Sequence, residues 1–201
     1  MNTFSNCNNS LSVGDFIKFG NYFINEGKNK EPIEWRVLEV SNDKALLITK
    51  DAIDSKPYNK MRDITWEECL LRKWLNNEFI NQAFSKEEQN EIILTNISNP
   101  NNANRSTNGG NNTQDKIFLL SVDEVKKYFN DDKDRKCKAT GYAKLQGVYT
   151  EDLDNCFWWL RSPGCVQFSA ACVYINGGIR DSGQNVCYDH YAVRPALWIN
   201  L

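Results

Sequence analysis

The sequence predicts a single α+β domain, with strands towards both ends of the chain and helices in the middle. Polar and apolar residues alternate between residues 34 and 40, and the segments 157–164 and 193–199 are rich in Trp, Leu and Ile. Between them, Ser or Thr is followed three residues later by Glu at three places, which is the capping-box pattern of a helix start. The 201 residues are 41% hydrophobic and 12% aromatic, which is enough apolar material for one core over residues 1–201.

The front of the chain predicts a small antiparallel meander. Residues 13–22 and 34–40 have the pattern of half-buried strands. Asn42 and Asp43 then form a turn signal that leads into a third strand over residues 45–49. Consecutive strands joined by so short a turn pair side by side, so we expect these segments to form one sheet.

The capping boxes predict the helices of the middle of the chain. The first box begins at Thr65 and predicts an amphipathic helix over residues 66–80. The apolar residues that follow it at helical spacing are Leu71, Trp74, Leu75 and Phe79. Further boxes at Ser85 and Ser121 predict two shorter helices.

An Asn-rich segment over residues 99–112 has no apolar period and predicts an exposed loop. Its side-chain carbonyls are possible calcium ligands in principle. Calcium sites use several carboxylates, however, and the segment contains none; the first one after it is Asp115. A solvated insertion is therefore the favoured interpretation.

The last third of the chain returns to strands. Residues 157–164 predict a central strand that contains two Trp and ends at a Pro-Gly turn. Segments 170–175 and 179–181 flank Asn176-Gly177-Gly178, a strong hairpin signal. Residues 193–199 predict the closing strand, which places the β-rich end of the domain at the C-terminus.

Composition excludes several classes of function. The net charge is −2 and no basic cluster is present, which disfavours nucleic-acid binding. No apolar run is long enough to span a membrane, and Met1–Asn6 lacks the pattern of a signal peptide, so a location in the cytoplasm, on a phage particle or at a surface reached by another route stays open. Signatures of hydrolases, kinases and dinucleotide enzymes are absent, and we expect no cofactor and no bound metal.

Lysine and glutamate are missing from the end of the chain. The last Lys is Lys144 and the last Glu is Glu151, although the chain contains 16 Lys and 12 Glu. Four of the seven Cys and the only His, His190, lie in this tail, but the Cys spacings match no zinc pattern. A nucleophilic pair of Cys187 with His190 is conceivable, yet no third group is evident to orient the imidazole. Most cysteines are expected to be small, partly buried apolar residues.

The tail contains a chemically mixed set of residues with no pattern suited to a core. Tyr offers a large contact area at low entropic cost, and Asp, Ser, Asn and Arg add directional polar bonds, so the set resembles the chemistry of an antibody binding site. The alternative is an irregular hairpin rim with no special role. The sixteen candidate ligand-binding residues are Cys165, Val166, Phe168, Ser169, Cys172, Tyr174, Ile175, Arg180, Asp181, Ser182, Asn185, Cys187, Tyr188, Asp189, His190 and Tyr191.

Two long strings, FWWLRSPG at residues 157–164 and VRPALWINL at residues 193–201, resemble the C-terminal signature of a bacterial and phage domain family. Segments 14–20, 32–38, 71–76 and 118–121 agree with the same family. Its members occur as variable proteins of diversity-generating retroelements. The resemblance implies a C-type-lectin-like fold, related to that of the formylglycine-generating enzyme.

The resemblance also implies how the tail acquired its composition. In such systems template adenines are randomised, so Asn codons that end in C become any codon ending in C, and these cannot encode Lys, Glu, Gln, Met or Trp. Residues 165–192 contain no Lys, Glu, Met or Trp, and only Gln167 and Gln184 depart from the set. Those two positions must then be unrandomised.

On this reading residues 11–164 form a scaffold, residues 165–192 a variable ligand-binding region and residues 193–201 a closing strand. The scaffold residues implied by the resemblance are Trp158, Trp159, Arg161, Arg194 and Trp198. The protein would bind an unknown protein or cell-surface ligand without catalysis, and replacing Tyr174, Tyr188 and Tyr191 by Ala would leave its stability nearly unchanged. The alternatives are an enzyme of the formylglycine-generating type, although no close pair of catalytic cysteines is evident, and a structural decoration module.

Overall fold

The computed structural model describes residues 11–25 and 29–201, so the polar start Met1–Asn6 lies outside the described residues. The strands are β1 (Phe16–Phe23), β2 (Lys30–Ser41), β3 (Lys44–Thr49), β4 (Asp54–Ser55), β5 (Thr95–Ile97), β6 (Thr113–Asp115), β7 (Ile117–Phe118), β8 (Thr150–Glu151), β9 (Asn155–Cys156), β10 (Trp158–Pro163), β11 (Ser169–Val173), β12 (Ile179–Asn185), β13 (Ala192–Val193) and β14 (Ala196–Asn200). The helices are α1 (Leu70–Trp74), α2 (Ile80–Ala83), α3 (Lys86–Glu91), α4 (Val122–Tyr128), α5 (Asp132–Arg135) and α6 (Gly141–Leu145). The predicted α+β class is confirmed. No helix among these residues is long and apolar enough to cross a membrane.

The first sheet has the strand order β1-β2-β3-β14-β7, and all its neighbours are antiparallel. It confirms the predicted meander. Asn42 has a positive φ of 51° in the turn between β2 and β3, a conformation that Asn tolerates better than most residues. Trp35 of β2 is fully buried, and its indole Nε1 donates to the Phe19 carbonyl of β1 at 2.7 Å.

The second sheet has the strand order β12-β11-β10-β13-β4. As predicted, the strand that contains Trp158 and Trp159 is central, and both indoles are fully buried. β10 pairs with β11 in the antiparallel sense and with β13 in the parallel sense. The predicted hairpin is also present, because β11 and β12 are antiparallel and the 174–178 turn joins them.

The prediction of one closing strand over residues 193–199 is wrong. Val193 belongs to the second sheet through β13, whereas Ala196 begins β14 in the first sheet. Pro195 stands between them, has no N–H to donate to a ladder, and accepts a hydrogen bond from Thr49 N at 3.0 Å through its carbonyl. This short segment therefore links the two sheets.

The predicted helix over residues 66–80 is broken. Thr65 makes no side-chain cap bond, and only a 3-10 turn, Trp66–Glu68, follows it. Cys69 then has an extended backbone and caps α1, because its Sγ accepts a hydrogen bond from Arg72 N at 3.3 Å. A π-helical turn, Leu75–Phe79, separates α1 from α2. The tertiary hydrogen bond from Trp66 Nε1 to Asp115 Oδ2, at 3.0 Å, holds the first turn apart from the rest. The capping boxes at Ser85 and Ser121 are both present.

The Asn-rich segment is irregular as predicted, but it is docked on the second sheet rather than a freely solvated insertion. Asn102 Nδ2 donates to the backbone carbonyls of Pro163 at 3.0 Å and of Asp181 at 2.9 Å. Asn104 Nδ2 donates to Asp181 Oδ2 at 2.7 Å. These amide donors fix the segment against β10 and the edge strand β12.

Candidate ligand-binding face

Twelve of the sixteen predicted residues are exposed or half-buried, and they lie on the β11–β12 hairpin and on the loops before and after it. We call these twelve the hairpin face. Five of them are exposed: Cys165, Val166, Phe168, Arg180 and Asp189. Seven are half-buried: Tyr174, Asp181, Ser182, Asn185, Cys187, Tyr188 and His190.

The other four predicted residues, Ser169, Cys172, Ile175 and Tyr191, are buried, with exposures of 6%, 0%, 8% and 3%. Ser169 closes a turn, because its Oγ donates to Val166 O at 2.8 Å and accepts from Val166 N at 3.2 Å. Cys172 of the second sheet is fully buried in the hydrophobic core, and burial raises the pKa of its thiol to about 12. Side chains such as these pack the hairpin onto the domain, which corrects the expectation that all sixteen are displayed on the surface.

A row of aromatic rings leads from the core to the hairpin face. Tyr191 stacks on Trp159 with ring centroids 4.4 Å apart, and Tyr188 stacks on Tyr191 at 6.0 Å. His190 lies 5.2 Å from Tyr188. Burial is the main cause that raises the pKa of the Tyr191 phenol, so its hydroxyl stays protonated at any ordinary pH. Because Tyr191 is buried and packs against the central Trp of β10, we now expect its replacement by Ala to reduce stability.

A cleft of about 390 Å³ opens beside this row, and we call it the aromatic cleft. Phe157 forms its apolar wall, with Tyr174 edge-on at 5.1 Å and Tyr191 tilted at 5.1 Å. Gln184 Nε2 donates to the Tyr174 hydroxyl at 3.1 Å, and the Arg180 guanidinium lies 5.3 Å above the Tyr174 ring. The remaining lining residues are Ile175, Asn176, Lys136, Glu151 and Asp152. Aromatic walls with a polar rim suit a flat apolar group that carries hydrogen-bonding substituents.

Six residues that line the aromatic cleft are not in the predicted set: Lys136, Glu151, Asp152, Phe157, Asn176 and Gln184. Two of them, Phe157 and Gln184, contact its aromatic rings. Phe157 and Trp159 both contact the Tyr191 ring. They are two residues apart, so the alternation of side chains along a strand could have placed them on the same face. Gln184 departs from the codon-restricted set that the resemblance implies, so it is not among the predicted ligand-binding residues. Its side chain nevertheless lines the cleft and orients the Tyr174 hydroxyl.

Gln167, the second residue outside the codon-restricted set, holds neighbouring segments together. Its Nε2 donates to the carbonyls of Ile64 at 3.0 Å and of Asn108 at 2.9 Å. Its Oε1 accepts from Asn108 N at 3.2 Å. A side chain with three backbone partners fixes the loop that follows β10 against the Asn-rich segment.

The structure does not assemble Cys187 and His190 into a nucleophile and base. Cys187 Sγ lies 3.8 Å from Met61 Sδ, and the nearest charged partner of the imidazole Nδ1 is Asp189 Oδ1, also at 3.8 Å. The six cysteines in the described part of the chain are all free thiols. That same part contains no group of three or more His, Cys, Asp or Glu placed to hold a metal ion.

A close cysteine pair, which the sequence did not reveal, is formed by Cys137 and Cys156. Cys156 N donates to the Cys137 carbonyl at 2.9 Å, and both side chains are buried. Burial alone raises the pKa of Cys137, but a side-chain hydrogen bond from the Cys156 thiol and the charge of Arg194 outweigh burial and lower this pKa. The same hydrogen bond, together with burial, raises the pKa of Cys156.

Comparison with known proteins gives one relationship. Residues 42–201 match the family model of a domain of unknown function, DUF6273, and the chain belongs to that family. No curated protein and no solved structure matches the chain.

Proposed function

We propose that this DUF6273 protein is a binding protein that captures a protein or cell-surface ligand with its hairpin face and aromatic cleft. The observation that supports this most is the aromatic cleft itself, where Phe157, Tyr174 and Tyr191 surround an open volume of about 390 Å³. Large rings next to polar groups are the usual source of binding energy at interfaces. Their arrangement around one opening favours recognition of a ligand over a passive rim.

A firmly held scaffold under the face supports the proposal. Arg161 of β10 is buried, and its guanidinium forms a two-pronged ion pair with Glu124 and donates to the Leu119 carbonyl at 2.8 Å. Glu124 also completes the capping box of α4. The central strand is thereby tied to a helix away from the hairpin, so residues on the face can differ without loss of the fold.

We further propose a C-type-lectin-like fold and diversification of the hairpin face by a retroelement. The absence of Lys, Glu, Met and Trp from residues 165–192 is the sequence observation in favour. The three bonds of Gln167 suit a position that must stay constant, which the codon restriction demands of it. Gln184 must likewise be constant, and it supports Tyr174 from within the aromatic cleft.

A binding experiment tests the function. The protein is applied to arrays of bacterial surface proteins and of glycans, beside a Tyr174→Ala, Tyr188→Ala double variant and a Leu94→Ala control. Leu94 is 57% exposed and lies outside the hairpin face and the aromatic cleft. We expect a ligand retained by the wild type and the control and lost by the double variant. Retention by the double variant, or no ligand on either array, would count against the proposal.

A second candidate, an enzyme that uses a reactive cysteine, rests on the Cys137–Cys156 pair. A lowered pKa favours the nucleophilic thiolate, but a catalytic thiol also has to be reached by its substrate. Cys137 is 2% exposed and Cys156 fully buried. Mass spectrometry of the native protein after brief treatment with iodoacetamide separates the two candidates: rapid labelling of Cys137 favours the enzyme, and its protection favours the binding protein.

A further inference from the structure

A second cleft, of about 470 Å³, is lined chiefly by cations, and we call it the cationic cleft. Its basic residues are Arg36, Lys50, Lys136, Lys138 and Arg194, and its acidic residues are Asp51 and Asp134. The cleft thus has a formal charge of five minus two, or +3, in a chain whose net charge is −2. Phe16 and Asn155 complete the wall.

Two of these cations already have partners. Arg36 forms a two-pronged ion pair with Asp134, with Nη1 2.6 Å from Oδ1. Lys50 Nζ lies 2.7 Å from Glu34 Oε2, which stands just outside the cleft. Three cations, Lys136, Lys138 and Arg194, then remain with one carboxylate, Asp51. When Glu34 is counted as the partner of Lys50, the local excess of charge is therefore +2.

Arg194 is a buried cation with a free hydrogen-bond donor. It is 3% exposed, and its guanidinium lies 5.0 Å from the Trp158 ring and 5.4 Å from the Phe129 ring. Its Nε donates to Thr49 O at 3.0 Å and its Nη2 to Lys50 O at 3.2 Å, but Nη1 has no partner among the described residues. A buried N–H without an acceptor is costly, and an anion in the cleft offers one.

Lys136 and Lys138 line the cleft from one extended segment. They alternate with the buried Cys137, so both side chains are on the outer side of an extended backbone. Ala52 N donates to Lys138 O at 2.8 Å, which fixes that backbone against the domain. Neither lysine forms an ion pair with any described residue, and both are exposed, so both ammonium groups are available to a ligand.

We propose that the cationic cleft is a binding site for a phosphate group, carried by a small molecule or free in solution. A planar guanidinium and two ammonium groups around one opening match the charge and the several acceptor oxygens of a phosphate better than those of a carboxylate. This site goes beyond the proposed ligand capture. Lys136 lines both clefts, but the aromatic cleft contributes no other residue to it.

Isothermal titration of the full chain with inorganic phosphate and with phenyl phosphate tests the site. We expect the Lys136→Gln, Lys138→Gln variant to bind both about tenfold more weakly or worse, because it loses two charge-assisted contacts. A Lys60→Gln, Lys126→Gln variant has the same net charge, and neither of its positions lines the cleft, so it should bind as the wild type does. Tighter binding of phenyl phosphate assigns a phosphorylated small molecule, and equal binding assigns free phosphate.

Three results would overturn the site: no heat of binding at millimolar phosphate, equal weakening in both double variants, or no weakening in either. Binding can also be followed at Arg194 through its guanidinium ¹⁵N resonances, which should shift on addition of phosphate. The Tyr174→Ala, Tyr188→Ala variant should keep phosphate binding unchanged. Failure of ligand capture and failure of the phosphate site are therefore distinguishable.

Discussion

Tyr191 links the hairpin face to the core, and its removal should weaken the whole domain. Its side chain is 3% exposed and stacks on Trp159 at 4.4 Å. A nearly buried tyrosine removes about 150 Å² from water, which at about 25 cal/mol/Å² is worth about 4 kcal/mol. Ala keeps part of that burial, so we expect Tyr191→Ala to lower the free energy of unfolding by about 3 kcal/mol.

Urea unfolding followed by Trp fluorescence measures this loss, and a thermal melt should show a Tm lower by about 10 °C. Tyr191→Phe keeps the stacked ring and should cost less than about 1 kcal/mol. Tyr188→Ala removes a ring that is only half-buried, so we expect a smaller cost of about 1 kcal/mol. A Tyr191→Ala variant within about 0.5 kcal/mol of the wild type would refute the assignment of Tyr191 to the core.

Two further substitutions and one labelling experiment probe the rest of the domain. Glu124→Gln removes the charge that pairs with buried Arg161, and urea unfolding should show a loss of about 3 kcal/mol; an unchanged midpoint would mean that the pair contributes nothing. Gly177→Ala should destabilise the domain by more than about 2 kcal/mol, since φ is +88° and an added Cβ would lie 1.6 Å from a carbonyl at the start of α5; a neutral effect would contradict this turn. With a thiol reagent at pH 8, the exposed Cys165 should react at once. Cys172 should react only on unfolding, because it is buried and burial raises its pKa to about 12. Similar labelling rates for the two thiols would show that β11 opens readily.

Local signals predicted strands β1 to β3 and β10 to β12 and two of the helix starts, but not the short strands β4 to β9 or the division of the last strand into β13 and β14. The alternation in β2, the Asn42 turn and the capping boxes at Ser85 and Ser121 depend on neighbours in sequence, and the structure contains all of them. Thr65 shows the same local pattern but makes no cap bond. There the hydrogen bond between Trp66 and Asp115 joins residues far apart in sequence and overrides the local preference.

The candidate site was predictable as a region but not residue by residue. Composition pointed to the segment that contains the hairpin face, yet it could not separate Tyr174, which lines the aromatic cleft, from Cys172, which faces the core. That distinction depends on which side of a strand each residue occupies in the assembled sheet. The cationic cleft joins Arg36, Lys136 and Arg194 from three separate segments, and no pattern along the chain brings such residues together.

Sequencing the corresponding gene from many isolates of one bacterial or phage population tests the proposed display of a variable face most directly. The account predicts that substitutions concentrate on the hairpin face, at positions such as Tyr174 and Tyr188, and use only codons that end in C. Gln167, Gln184 and Trp159 should be constant, and a reverse transcriptase gene should lie beside the variable gene. Substitutions spread evenly over scaffold and face, or a hairpin face identical in every isolate, would contradict the account.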